Sequence, residues 1–504
     1  MKPRILAVII GIILAAGAGA AVRTHHLDKI SLDFDEYLHV FAAKGLQQAG
    51  TPALPSGALY TRALPYSRWV KSAMDAFGDS EVAVRLPSII AGVGLVVLAG
   101  VLAARFWGLG ALFPVMALVV VDPFCIEMSR VCRMYSSFHL LYLFVTIALF
   151  ELWEKACNTR QRIAWGAAAA GGLLLGAILH KLMAEVVISF GAYLTLQALL
   201  RRRMKYVLPV VLGITAVAAG SALGVVNLGG ILQKANSAPI YATQLRYAYD
   251  YYIKQFWHID PWLVVFIVPA LITLWRRNTA LGVYLLCALF VPFGLHSFIF
   301  DWKEARYLLH IVPIALWTVG SAIWLWTQTL AARLKQRGVV YGALAGPLAA
   351  AVLLVPFAAN GVAHPLEGLD GETAKWREAY AAFGPKIQPD DCLLISVPLV
   401  SFYYLHRRPD YLLLNVLIRD SGRELTRAED GFYRDWYSGQ PLVTDAAEME
   451  TVFAKHPKGW IVVDGARFAY DNCVPADVRE MIVKRCRQWQ TPDSSVLVFS
   501  WGQG

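Results

Sequence analysis

The sequence predicts a multi-pass α-helical membrane protein with a small α/β domain at its C-terminal end. Three observations lead there. Over 504 residues, hydrophobic side chains make up 57 % and charged ones 16 %, against roughly 45–50 % and about 25 % in a soluble chain; the mean hydropathy is +0.49. Charge is split unevenly: residues 1–361 hold 30 Lys and Arg against 16 Asp and Glu, whereas residues 362–504 hold 16 against 20. Apolar runs of membrane-spanning length occur only in the first part, which is read as the membrane domain, with 362–504 as a soluble domain.

A span needs about 20 apolar residues. Such runs fall at 4–22, 82–104, 109–126, 137–153, 163–180, 182–200, 206–227, 260–275, 279–299, 307–330 and 338–359, eleven in all. The first follows Lys2 and Arg4 like the start of a signal peptide, but with ten further spans it reads as a retained anchor. Lys2, Arg4, Arg105, Lys155, Arg160, Arg162, Arg201–Arg203, Lys205, Arg276, Arg277, Arg333, Lys335 and Arg337 collect on one side, which the positive-inside rule makes cytoplasmic. The opposite side collects 23–81, 122–136, the turn at His180-Lys181, 228–259, 300–306 and the tail. That predicts a cytoplasmic N-terminus and a C-terminal domain outside, in the periplasm if the membrane is the inner membrane of a Gram-negative bacterium. The net charge of +10 thus serves topology, and a nucleic-acid partner is not expected.

In the tail, Asp391–Val397, Trp460–Asp464 and Ser495–Trp501 are short apolar runs bounded by turn residues, as buried strands are. Trp376–Phe383, Ala446–His456 and Ala476–Trp489 show helical spacing. Seven scattered cysteines, with no CxxC, form neither a disulfide framework nor a zinc site, and buried free thiols are expected. No Walker loop, GxGxxG or GxSxG occurs.

Ionisable groups at a membrane are costly, so their placement carries functional information, and here they crowd the outer side. Asp33, Asp35 and Glu36 lie within four residues after the first run. Mutual repulsion would raise their pKa values, suiting a general base or a divalent metal site; alternatively Asp33 caps a helix beginning near Glu36. Arg62 stands in Tyr60-Thr-Arg62-Ala-Leu-Pro65. Arg130 and Arg133, three apart, would share a helical face and clamp an anion, or anchor to headgroups. His180-Lys181 breaks two apolar runs, and Lys181 would snorkel or meet a phosphate. Asp301, Lys303, Glu304, Arg306 and Tyr307 precede the tenth run. Together they outline one outward polar cavity, carboxylates on one wall and cations on the others. Its chemistry fits transfer from an anionic lipid-linked donor to a hydroxyl or amine: a carboxylate deprotonates the acceptor and cations stabilise the departing phosphate.

Asp35-Glu36-Tyr37, Leu59-Tyr60-Thr61-Arg62, Arg85-Leu86-Pro87-Ser88, Ser129-Arg130-…-Arg133-Met134-Tyr135, His180-Lys181 and Arg306-Tyr307-…-Pro313 agree in order and spacing with the GT-C superfamily of polyprenyl-phosphate-sugar-dependent glycosyltransferases. Over about residues 1–330 the chain resembles the branch of lipid A aminoarabinose transferases, protein O-mannosyltransferases and Rgt-like lipopolysaccharide sugar transferases. The resemblance implies an inverting transferase acting on lipid A, lipopolysaccharide, another envelope glycan or a protein. It makes Asp35 the catalytic base and Glu36 a neighbour positioning the acceptor or a metal. Donor phosphate and substrate would meet Arg62, Arg130, Arg133, Tyr135, His180, Lys181, Glu304, Arg306 and Tyr307. Arg62 stands where the aminoarabinose branch has a lysine before a Pro-Pro pair, here Ala63-Leu64-Pro65. Tyr135 stands where some relatives carry an aspartate, so a second acid is missing there.

The tail and the aromatic segment with Tyr241, Tyr247, Tyr249, Tyr251, Tyr252 and Trp257 would recognise the acceptor, or the aromatics form an interfacial belt. A lipid flippase or transporter would spread its charges along a through-path, and a non-catalytic envelope-polymer-binding protein would not need the Asp35 cluster.

Overall fold

The computed structural model describes residues 3–222, 248–300, 303–337, 342–363, 374–414, 427–470 and 473–502. Where they are described, all eleven apolar runs are helical. Among the described residues, seven helices are long and apolar enough to cross a membrane, nine if two bent pairs each count as one span. The other two runs are the helices Met204–Ala222 and Gly342–Ala363.

The first bent pair corrects the run expected at 109–126. Helix α5 (Leu112–Val121) stops at Asp122, and α6 (Pro123–Arg130) sets off at 60° to the span that ends there. Pro123 has no N–H to continue the ladder, and the Asp122 carboxylate accepts from Cys125 N at 2.7 Å to start the new helix. Asp260-Pro261 makes a second break of 106° in the same way, with Asp260 accepting from Leu263 N.

Helix α4 (Glu81–Trp107) is the hub, packing on α1 (Pro3–Thr24), α3 (Leu64–Phe77), α5, α6 and α7 (Tyr135–Phe150). Glycine lets it close on α6: a Cβ on Gly92 would sit 2.1 Å from Ser129 Oγ. The segment between α1 and α4 carries α2 (Phe34–Ala49) and the amphipathic α3.

The tail forms a seven-stranded sheet of order β3-β4-β2-β1-β5-β7-β6. The strands are β1 Cys392–Ile395, β2 Tyr411–Leu413, β3 Tyr433–Arg434, β4 Pro441–Val443, β5 Gly459–Asp464, β6 Arg487–Trp489 and β7 Val496–Trp501. The central four, β4-β2-β1-β5, are parallel, and β3, β7 and β6 pair antiparallel. Side chains alternate between faces. Leu394, Ile461, Val463 and Phe499 join Met449, Val452, Val478 and Ile482 of the covering helices. Leu393, Ile395, Val462 and Val498 face the opposite way, into the core continuous with the membrane bundle.

The strands expected at 391–397, 460–464 and 495–501 are β1, β5 and β7. The helix expected over Ala476–Trp489 is shorter: it ends at Arg485, and Arg487–Trp489 pairs with β7, held by Trp489 Nε1 donating to Ser500 Oγ at 2.8 Å. All seven cysteines are free; Cys125, Cys132, Cys287 and Cys392 are buried as expected, whereas Cys473 and Cys486 are half-buried and Cys157 is exposed.

Candidate active site

The carboxylate cluster begins with a helix start. Asp33 is the N-cap of α2, and with Glu36 at the third helical position it forms a capping box, Asp33 N donating to Glu36 Oε2 at 2.9 Å. This puts Asp35 in the first turn, where the helix dipole favours negative charge. Glu36 points inward. Its Oε1 accepts from Arg85 Nε at 2.8 Å and Cys132 N at 2.6 Å, and its Oε2 accepts from Arg85 Nη2 at 2.7 Å. The remaining Arg85 N–H groups go to the carbonyls of Leu27, Ile30 and Ser31. One buried ion pair therefore ties the loop after α1, α2, α4 and the turn before α7 together, with every donor of the guanidinium used.

Asp35 faces the other way, its side chain 24 % exposed. Arg133 Nη1 donates to its backbone carbonyl at 3.0 Å while Nη2 lies 3.2 Å from Oδ2. Arg306 Nη1 donates to the same Oδ2 at 2.8 Å. Among the described residues, Oδ1 accepts no hydrogen bond. Burial pushes the Asp35 carboxyl up, but the guanidiniums of Arg133, Arg306 and Arg62 outweigh it and hold the group below the usual carboxylate range. The expected mutual raising of the carboxylates is corrected at Asp35: the arginines decide its charge.

Tyr135 and Glu304 complete the wall. The Arg133 guanidinium lies over the Tyr135 ring, 5.5 Å from its centroid, Glu304 pairs with Arg306, and Arg306 lies over Tyr307 at 5.8 Å. Arg62 and Lys181 are exposed. The imidazole of His180, by contrast, is buried. Its Nδ1 accepts from Leu182 N at 3.3 Å, shaping the turn that presents Lys181.

Three expectations change. Arg130 does not form a clamp with Arg133, because α6 ends at Arg130 and Val131 is extended (φ −105°, ψ 143°), which breaks the three-residue helical spacing. Arg130 instead donates through Nη1 to the carbonyls of Val22, Arg23 and His25, closing the end of α1. Glu36 has both oxygens committed to Arg85 and backbone N–H groups, leaving none for an acceptor. A divalent cation does not fit Asp33, Asp35 and Glu36. Glu36 is turned inward, Asp35 lies between two guanidiniums, and among the described residues no group of three His, Cys, Asp or Glu is arranged to hold one.

Asp301, Tyr241 and Tyr247 lie outside the described residues. Tyr249 stacks on Phe298, Tyr252 is buried and Trp257 is exposed.

The tail closes one side of the site. Phe34 meets Tyr437 edge-on at 5.1 Å, Arg467 lies over Phe34, Tyr404 bonds Leu32 N and Glu81, and Arg377 pairs with Glu81. Sequence reading passed over Arg85 as a structural anchor and Glu185 altogether. The signal for Glu185 was a carboxylate inside the apolar run 182–200.

No protein-family model and no curated protein sequence matches the chain. Solved structures do. ArnT from Cupriavidus metallidurans in the apo state superposes with a TM-score of 0.57 at 12 % identity, over 97 % of both chains. The same protein bound to undecaprenyl phosphate gives 0.53. The archaeal oligosaccharyltransferase AglB from Archaeoglobus fulgidus, in complex with an inhibitory peptide and a dolichol-phosphate, gives 0.59 at 11 % identity, over 98 % of this chain and 74 % of that one. The chain thus shares the overall fold of these solved structures, a multi-pass helical fold of GT-C type followed by an α/β domain.

Proposed function

We propose that this protein is an inverting glycosyltransferase that moves one sugar from a polyprenyl-phosphate donor to an acceptor on the outer face of the bacterial inner membrane. The observation that carries the reading is Asp35: a carboxylate kept ionised by arginines, with Oδ1 open, in the first outer loop of a GT-C fold. The solved neighbours that bind undecaprenyl phosphate or dolichol-phosphate, and in AglB an acceptor peptide, support a lipid-linked donor and a separate acceptor.

In this reading the acceptor hydroxyl or amine attacks the anomeric carbon while its proton passes to Asp35 Oδ1. The bond from that carbon to phosphate oxygen breaks, and polyprenyl phosphate leaves. A carboxylate stabilised by Arg133 and Arg306 is a weak base, so it takes the proton as the new bond forms rather than before. Arg306, Arg62 and Lys181 meet the phosphate charge that develops, while Arg133 holds Asp35. Glu36, Arg85 and Arg130 are scaffold.

The alternating distribution of Lys and Arg supports a cytoplasmic N-terminus and a periplasmic tail. Residues 1–361 would form the catalytic membrane domain, and 362–504 an outer domain whose Tyr437 and Arg467 flank the acceptor side. The acceptor is an envelope glycan, lipid A or lipopolysaccharide, or a protein.

The test is release of free polyprenyl phosphate when purified protein is incubated with extracted native lipids, beside Asp35→Asn. Release by wild type alone establishes the reaction class; no release from any lipid pool by a well-folded sample rejects it.

A further inference from the structure

We propose that Glu185 is a positioning residue for donor binding, its two carboxylate oxygens clasping both ends of the segment that brings Arg306 to Asp35. The inference rests on the reading of Arg306 as a donor-phosphate ligand. Glu185 Oε1 lies 2.9 Å from His296 Nε2, and Oε2 lies 2.9 Å from His310 Nε2. All three residues are buried, at 3, 2 and 0 % exposure. None touches Asp35, so their action is through geometry.

Among the described residues, the segment between the histidines has no long helix of its own. It opens in a π-turn, Leu295–Ile299, a wide turn frequent at functional sites. Lys303 closes that turn by donating to the carbonyls of His296, Ser297 and Phe300 at 3.1, 2.9 and 3.2 Å. Arg306 then sits in the 3-10 turn Ala305–Tyr307, and a second such turn, Leu309–Ile311, leads into the helix Val312–Gln336. A segment built of short turns is placed by its ends, and here one carboxylate holds both. Tyr142 packs edge-on against His310 at 4.5 Å, and Tyr307, next to Arg306, stacks with His296 at 6.5 Å.

Glu185 also lies four residues after Lys181, in the first turn of the helix Ala184–Arg201. The clasp therefore fixes the Lys181 turn relative to Arg306. Two cations that recognise one phosphate must keep their separation, and small misplacement is costly in rate. Stability alone does not account for the arrangement, since well-packed apolar residues of similar volume commonly serve as well as or better than such a buried polar cluster.

The full chain in detergent micelles would be compared as wild type, Glu185→Ala, His310→Leu and His310→Gln, the glutamine amide standing near the imidazole Nε2. Two quantities are read: amide hydrogen exchange of peptides covering 303–309, and affinity for undecaprenyl phosphate by tryptophan fluorescence. E185A and H310L should raise exchange there and weaken binding on the order of tenfold or more, with donor KM rising and acceptor KM unmoved; H310Q should restore both. Should E185A fail to fold, the contrast between H310L and H310Q decides. Unchanged exchange in E185A and H310L, or faster exchange with wild-type donor affinity and KM, overturns the proposal. If exchange rises but wild type itself binds no undecaprenyl phosphate, the clasp stands and the donor reading falls.

Discussion

Arg306 reaches across 271 residues of sequence to place Nη1 2.8 Å from Oδ2 of Asp35. The contact joins the first turn of α2 to the segment before the helix Val312–Gln336, and among the described residues Arg133 and Arg306 leave Oδ1 of Asp35 without a hydrogen bond.

Replacing Asp35 with Asn keeps the shape and removes the carboxylate proposed as the base. Turnover should fall by about a hundred- to ten-thousandfold, while affinity for undecaprenyl phosphate stays near wild type in the same fluorescence titration.

The acid limb of the pH–rate profile follows the arginines. The folded-state pKa of Asp35 is depressed, so the group is ionised throughout the neutral range, and activity should fall only as pH drops below the ordinary carboxylate range. The stability this ionisation adds is present above the unfolded-state pKa and is lost as pH falls through the folded one. In Arg306→Ala, burial opposes one guanidinium fewer, so the limb of kcat/KM should move to higher pH. An unmoved limb would show that Arg306 does not set the charge of Asp35.

Glu36 and Asp35 are adjacent but should fail differently. Glu36→Ala leaves the Arg85 guanidinium buried without its partner and should destabilise the protein by about 3–5 kcal/mol. Thermal unfolding in detergent should show a drop much larger than that of Asp35→Ala.

Arg130 separates from the exposed cations by the same logic. Arg130→Ala removes three hydrogen bonds that close α1 and should lower the unfolding midpoint with little change in donor KM. Arg62→Ala and Lys181→Ala, both at exposed positions, should raise donor KM and leave the midpoint in place.

Chelation should have little effect. Because Asp35 lies between two guanidiniums and Glu36 is sealed against Arg85, the carboxylates offer no joint cation site, and product release with EDTA should match that without it. A tenfold loss restored by added divalent metal would refute this.

Sequence alone determined the eleven apolar runs, the α/β tail with its three longest strands, and the placement of Asp35, Glu36, Arg133 and Arg306 between those runs. Hydropathy and charge asymmetry are summed over many residues, so they survive without any knowledge of contacts. The tertiary structure decided which polar groups meet. Asp35 and Glu36 are neighbours, yet the 100° step of the helix sends one to the open cavity and the other to a buried arginine. Arg130 and Arg133 part because the chain leaves the helix at Val131. Strands β2, β3 and β4, two or three residues long, carry too little periodicity to be read and form because a sheet edge awaits them. Glu185, His296 and His310 are far apart in sequence, and a carboxylate in an apolar run shows its expense but not its partners. Those are chosen by packing, since a buried charge is tolerated only where folding brings donors to it.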